Sequence, residues 1–341
     1  MPKIFITGAT GYIAGDILHA LYTAYPDYTY SALVRSQEKA TLLNAAFPTL
    51  RPIVASLDDL AILESEAADA DIVIHAADAS DNEGAAKAIA AGIAKGHSKE
   101  KPGYYIHTGG AGILTYFDES KGRLGEWEEK EFNDWKGVSE ITTLPKEAFH
   151  RGVDQIVLGA GMNEGVKTAI VAPPTIYGRG RGPVSVRGRQ VYELSKLVLQ
   201  KQYAPIIGKG QARWTHVHVH DLSDIYVKLV EKAVEADNSP QIWGAEGYYF
   251  AEQGEHVWGN LARKIAATAA ELGFIGKDPK DHSTSRDEAM DVAGFEAVSW
   301  GLNTRAKAQR ARQVLGWKPY RPDLEEEIPN ILKEEKERLA H

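Results

Sequence analysis

Nine residues near the amino terminus, Thr7-Gly8-Ala9-Thr10-Gly11-Tyr12-Ile13-Ala14-Gly15, constrain this chain more than any other feature. They follow a short apolar run, Lys3–Thr7, that reads as a buried strand. They open a helical pattern with Ile13, Ile17, Leu18 and Leu21 on one face. A glycine turn at the first strand–helix junction is the context a dinucleotide site demands. Gly8 permits the tight turn, Gly11 lets the backbone approach a pyrophosphate, and the small Ala14 permits close helix–strand packing. The helix N-terminus then offers free N–H groups and a positive dipole end to the phosphates.

The alternation continues. Tyr30–Val34, Arg51–Val54, Asp71–Ala77, Tyr104–Thr108 and Thr168–Pro173 read as further strands, with an alanine-rich helix near Glu83–Lys95. Near-continuous apolar strands separated by helices predict an α/β fold: a Rossmann-type, doubly wound parallel sheet with helices on both faces. Gly109–Thr143 breaks the rhythm and is expected to be a long irregular insertion, either functional or mobile. Beyond Pro174 the pattern predicts helices at Gln190–Gln200 and Leu222–Ala236, a strand near Thr215–His220, and a mainly helical remainder ending in Leu324–Leu339. The expected division is a dinucleotide-binding domain over 1–174 and a smaller, mainly helical C-terminal substrate domain over 175–341. The strand at 215–220 and the helix at 222–236 are expected to return to the first core.

The end of the second strand selects the cofactor. A carboxylate there would suit the ribose 2′-hydroxyl of NAD; this chain has Arg35 and Ser36, then Lys39. A guanidinium fork with a hydroxyl and an ammonium beside it suits a 2′-phosphate, so the expectation is NADP(H). The whole chain carries 39 basic and 47 acidic side chains, a net charge of −8, which argues against nucleic acid as a partner. It has no cysteine, so disulfides, thiolate catalysis and cysteine-ligated metals are excluded. No apolar run is long enough to span a membrane, and the first residues lack a signal-peptide pattern; the expectation is a cytoplasmic protein with no membrane partner.

Several segments in order, TGATGYIAG (7–15), HAA (75–77), HTGG (107–110), IVAPPTIYG (170–178), VHVHDL (217–222) and LNTRAKAQRARQVLGWKP (302–319), resemble the extended short-chain dehydrogenase/reductases. That group includes NAD(P)-dependent epimerase/dehydratases and dihydroflavonol-type reductases. The resemblance implies a small-molecule substrate in a cleft between the domains, and it admits a homodimer. It implies that Gly8, Thr10, Gly11, Tyr12 and Ile13 hold the pyrophosphate and that Ser56 and Leu57 flank the adenine. Ala76 and Ala77 would line the middle of the cofactor, and Pro173, Thr175 and Ile176 its nicotinamide end. Thr108 takes the place of the family's active-site hydroxyl.

The chain departs from the family at its Tyr-x-x-x-Lys pair. No tyrosine occurs between Tyr116 and Tyr177. With Leu144–Leu158 read as the matching helix, Lys146 takes the tyrosine position and His150 the lysine position, at a spacing that shares one helix face. Proton delivery is therefore expected from His150, Lys146, Tyr116 or water. His216, His218 and His220 alternate along a strand, but no carboxylate cluster completes a metal shell, and no metal is expected. Arg179, Arg181, Arg187 and Arg189 either clamp an acidic substrate or pair with the chain's own carboxylates. The leading reading is an NADP(H)-dependent oxidoreductase acting on a small carbonyl, imine or alcohol. The alternatives are a redox-neutral epimerase, dehydratase or isomerase of the same fold, and a non-catalytic NADP(H) sensor.

Overall fold

The computed structural model describes residues 1–340. Its first half is built as the alternation predicts: β1 (Lys3–Thr7), α1 (Tyr12–Ala24), β2 (Thr29–Val34), α2 (Gln37–Ala46), β3 (Arg51–Val54), α3 (Leu60–Asp69), β4 (Ile72–His75), α4 (Glu83–Gly96) and β5 (Gly103–Thr108). With the strands Val166–Ala172 and Tyr248–Phe250 these form one seven-stranded sheet. Its order is Tyr248–Phe250, Val166–Ala172, β5, β4, β1, β2, β3, and every pairing is parallel. β4 and β5 are buried along their whole length, as strands covered by helices on both faces must be. Chain order reverses between β1 and β4, so the crevice beyond their C-terminal ends is where this topology binds ligands.

Two expectations need correction here. The strand predicted at 215–220 does not rejoin the main sheet. It forms as Arg213–His218 and pairs with Thr175–Tyr177 and Gly254–Val257 in a separate three-stranded sheet. The edge position is filled instead by Tyr248–Phe250, three residues too short to show a period. The helix that follows, Val219–Val234, does lie on the first core, with Leu222, Ile225, Tyr226, Leu229 and Val230 buried there. The second core gathers the helices Gln190–Lys201, Trp258–Glu271 and Leu324–Leu339 around Trp214, Trp258 and Trp300.

The second correction concerns 109–143. This segment folds into short helical turns and a short strand that bury Ile113, Leu114, Phe132 and Ile141 in the first core, and it is held by polar anchors as well. Phe132–Asn133 pairs with Ala306–Lys307. Asp118 accepts from the Asn303 backbone at 2.7 Å and from its side chain at 2.8 Å. Asp134, fully buried, accepts backbone N–H bonds from Phe250, Gln309 and Arg310. Burial still pushes the Asp134 carboxyl up to about 7 against those bonds.

Candidate active site

A cleft of about 410 Å³ opens at the C-terminal ends of β1 and β4 and runs toward the second core. Gly11, Tyr12, Ile13 and Ala14 line one end. Gly8 has φ +81°, and a Cβ there would sit 2.9 Å from the Ala76 carbonyl carbon and oxygen and the Ala77 nitrogen, so only glycine fits. Gly11 is the N-cap of α1 with no side-chain capping bond, and it lies in the cleft. A helix start left uncapped by side chains at an open cleft fits a pyrophosphate. Thr7 secures the turn from behind: its Oγ1 lies 2.7 Å from His75 Nδ1 and accepts from the Ala76 and Ala77 N–H groups. Burial pushes the His75 imidazole down to about 3.

Of the residues expected to hold cofactor, Gly11, Tyr12, Ile13, Ala76, Pro173 and Ile176 line this cleft. Gly8, Thr10 and Ala77 belong to the loops that shape it without lining it. Thr175 is fully buried and donates to Gln190 Oε1 at 2.7 Å; Gln190 is the lining residue. At the end of β2, Arg35 is exposed, while Ser36 caps α2 by accepting from the Lys39 N–H. Ser56 is held in a local turn by Asp58 and Asp59, beside a half-buried Leu57. The Tyr12 hydroxyl is already committed, donating to the Gly178 carbonyl at 2.5 Å.

The catalytic expectations fare differently. The helix read at Leu144–Leu158 begins only at Arg151, because 143–150 forms turns after Pro145. Lys146 and His150 therefore do not share a helix face. Lys146 is exposed and away from the cleft lining; His150 lines the cleft. Thr108 is turned to the opposite side of the sheet, its Oγ1 2.7 Å from the buried Tyr226 hydroxyl. Tyr116 packs half-buried against the first core and the Phe117 ring.

His150 gains a partner that sequence reasoning missed. It is the N-cap of the Arg151–Ala160 helix, in the left-handed region at φ +66°. This unusual backbone turns its ring into the cleft, with Nδ1 2.8 Å from Asp81 Oδ1. That bond holds the Asp81 carboxyl below its usual range. A carboxylate only accepts, so Nδ1 carries the hydrogen and Nε2 is left as the acceptor. Nε2 faces the loop after β5: a Cβ on Gly110 would lie 3.1 Å from it. Asp81 follows β4 by six residues, at the end of the strand beside the switch point; that position was the available signal. One helical turn beyond His150, Asp154 is 1% exposed and burial pushes its carboxyl up to about 6.

The arginine stretch resolves in favour of internal pairing. Arg179 bonds Glu334 at 3.0 Å. Arg181 grips the buried Asp16 through both carboxylate oxygens. Arg187 is held by Glu335 and Glu193, and Arg189 by Glu296. The three histidines are structural: His218 Nδ1 accepts from the His220 N–H, and His216 Nδ1 lies 3.1 Å from His256 Nδ1. Among the described residues no group of three or more His, Asp or Glu side chains is placed to hold a metal ion, and no helix is long and apolar enough to cross a membrane.

Residues 8–172 match the family model described as NAD(P)H-binding, and residues 148–243 that of the NAD dependent epimerase/dehydratase family. The chain is 42% identical to the oxidase ucsJ of Acremonium sp., over 99% of both chains. It is 29% identical to an uncharacterised Schizosaccharomyces pombe protein, over 94% of this chain and 96% of that one. Among solved structures it resembles the Thermotoga maritima UDP-glucose 4-epimerase, with a TM-score of 0.66 at 17% identity over 99% of each chain. It also resembles the Streptomyces venezuelae dTDP-glucose 4,6-dehydratase DesIV, with a TM-score of 0.68 at 14% identity over 99% of this chain and 98% of that one.

Proposed function

Starting from a chain that belongs to the NAD(P)-binding epimerase/dehydratase family, of extended short-chain dehydrogenase/reductase architecture, we propose an NADP(H)-dependent oxidoreductase that works with a histidine–aspartate pair in place of the family tyrosine. The observation that carries the reading is His150 Nδ1 bonded to Asp81 at 2.8 Å, in the same cleft as the uncapped start of α1. The oxidase relative supports oxidation as the direction of net chemistry.

A nicotinamide bound in this cleft supplies the hydride acceptor or donor. The protein supplies position and a proton path. The first-turn N–H groups of α1 bind the pyrophosphate, and Pro173 and Ile176 wall the reactive end. His150 Nε2 takes the hydroxyl proton of an alcohol substrate, and Asp81 holds the tautomer and stabilises the imidazolium that forms. Arg35, exposed at the end of β2, would pair with the 2′-phosphate of the adenosine ribose. Thr108 and Tyr116 have no part in this proton path, and Lys146 stays in solvent.

Two measurements test the reading. Asp81→Asn and His150→Gln are each expected to lower kcat by ~10²–10⁴-fold while NADP⁺ affinity stays within about threefold. Unchanged turnover in both variants refutes the proton path. Titration of both cofactors is expected to favour NADP⁺, and Arg35→Asp to weaken it by ~10–150-fold, the loss of one charged hydrogen bond. Tighter NAD⁺ binding by the unmodified protein refutes the cofactor assignment.

A further inference from the structure

The far end of the cleft has a composition of its own. Phe149 and Phe295 pack against each other there at a tilt, ring centroids 5.1 Å apart, and both line the cleft. The two residues remain 37% and 36% exposed, so the protein leaves part of their surface uncovered. Trp214 and Pro174 add further apolar wall. Uncovered aromatic rings gathered in a concavity are the usual signature of a surface that a ligand covers.

The arginines at this end are paired with the chain's own carboxylates. A nucleotide sugar, such as the UDP-glucose of the Thermotoga maritima epimerase structure, brings a diphosphate that needs cationic side chains. Arg187 and Arg189 are the cations in the lining. Arg187 is fixed by Glu335, 1% exposed, at 2.7 Å and by Glu193 at 2.8 Å. Drawing it toward a phosphate would strand a buried carboxylate. Arg189 is 79% exposed and bonded at 2.8 Å to Glu296, which itself lines the cleft, so a phosphate drawing on Arg189 would do so beside that carboxylate. Asp81 adds a second carboxylate to the lining. An incoming diphosphate would meet two carboxylates, one arginine locked to a buried glutamate and one exposed arginine already paired with Glu296.

We infer that the substrate is an uncharged molecule with a flat apolar ring system that lies over the paired rings of Phe149 and Phe295, so that its alcohol reaches His150. This rests on the oxidoreductase reading for the position of the alcohol, and on the cleft lining alone for the ring. The ring of Phe149 is continuous with the site of chemistry, its centroid lying 3.6 Å from that of His150. One aromatic surface therefore runs from the binding end to the proton acceptor, and edge or offset stacking against it orients a planar substrate.

The test is equilibrium calorimetry on the NADP⁺-loaded protein with two probes, 2-naphthalenemethanol and UDP-glucose. The naphthalene alcohol is expected to bind saturably and UDP-glucose to give no saturable heat. Phe149→Ala with Phe295→Ala is expected to weaken the naphthalene alcohol at least ~10-fold, the loss typical of truncating buried aromatic anchors. Phe149→Leu with Phe295→Leu, which keeps the volume, is expected to weaken it less; circular dichroism and NADP⁺ affinity report that both variants fold. The inference is overturned if the naphthalene alcohol gives no saturable heat, if the alanine changes leave its affinity untouched, or if UDP-glucose binds as tightly. Saturable naphthalene binding without turnover upholds the ring site and counts against the oxidoreductase reading. Alcohol turnover alongside tight UDP-glucose binding does the reverse.

Discussion

Replacing Asp16 by asparagine tests how the cofactor helix is tied to the loop that frames the substrate end. Asp16 lies one turn into α1 and is fully buried. Its Oδ1 accepts from the Arg181 backbone at 2.8 Å and from Nε at 2.9 Å, and its Oδ2 accepts from Arg181 Nη2 and Ser223 Oγ, each at 2.6 Å. Asp16→Asn removes the charge and turns one acceptor oxygen into a donor, so two of these bonds fail. Each hydrogen bond to a charged group is worth ~1.5–3 kcal/mol. The Arg181 side chain is 28% exposed, so water recovers part of its share, and a net loss of about 3 kcal/mol follows. With ~2.1 cal/mol/K per residue over 341 residues, the unfolding entropy is about 700 cal/mol/K, and the expected fall in Tm is about 4 °C. Burial alone would raise the Asp16 carboxyl; its bonds to Arg181 and Ser223 outweigh this and hold it below its usual value. A depressed carboxyl stabilises the fold above its unfolded pKa of ~3.9 and loses that contribution as pH falls through the folded value. The gap between the two proteins should therefore be constant above about pH 5 and close below about pH 4. Thermal melts by circular dichroism from neutral to acid pH measure it. Arg181→Gln in the same background should cost much less than alone, because the pair is already broken. A Tm unchanged by Asp16→Asn, or a gap that widens in acid, refutes the argument.

Two further outcomes follow from positions described above. Gly8→Ala forces a side chain into a φ of +81° and against the Ala76 backbone; we expect ~1–2 kcal/mol of strain in the melt and at least ~10-fold weaker NADP⁺ binding by calorimetry, and wild-type affinity would show that the turn is not the phosphate site. Thr108→Val leaves the Tyr226 hydroxyl buried without its partner; denaturant unfolding should show a loss of ~1–3 kcal/mol with kcat unchanged, whereas a drop in kcat at unchanged stability would return Thr108 to the chemistry.

What could be read from the sequence follows from what is periodic or local. β1, β2, β4 and β5 are buried on both faces and so read as apolar runs, and the turn Gly8–Gly11 is a local requirement of the backbone itself. The edge strand Tyr248–Phe250 is too short to carry a period, and it reaches the sheet only through a partner 78 residues earlier in register, Tyr248 beside Ile170. The catalytic helix misled because Pro145 and the left-handed His150 shift its start, and a spacing of four has meaning only inside a helix. Thr108 misled for a related reason. Side chains alternate along a strand, and the cleft belongs to the glycines one turn further on, Gly110 and Gly112. Asp81 and Phe295 are distant in sequence from the residues they meet, and no local pattern marks such pairs.

The sheet's dependence on late residues has a consequence for the chain as it is made. Pro174 and Phe250 are 76 residues apart, and the helix Val219–Val234, which buries Leu222, Ile225 and Tyr226 on the first core, also comes after the first six strands. At ~5–20 residues per second, the ribosome leaves those strands without their seventh partner and without one covering helix for roughly 4–15 s. During that time the open edge at Val166–Ala172 and the apolar sheet face beneath the missing helix are exposed to other nascent chains. Expression at slowed translation, or from a gene split after Pro174, should therefore shift the protein toward aggregates that a holdase chaperone relieves, with the two halves recovering solubility only when made together.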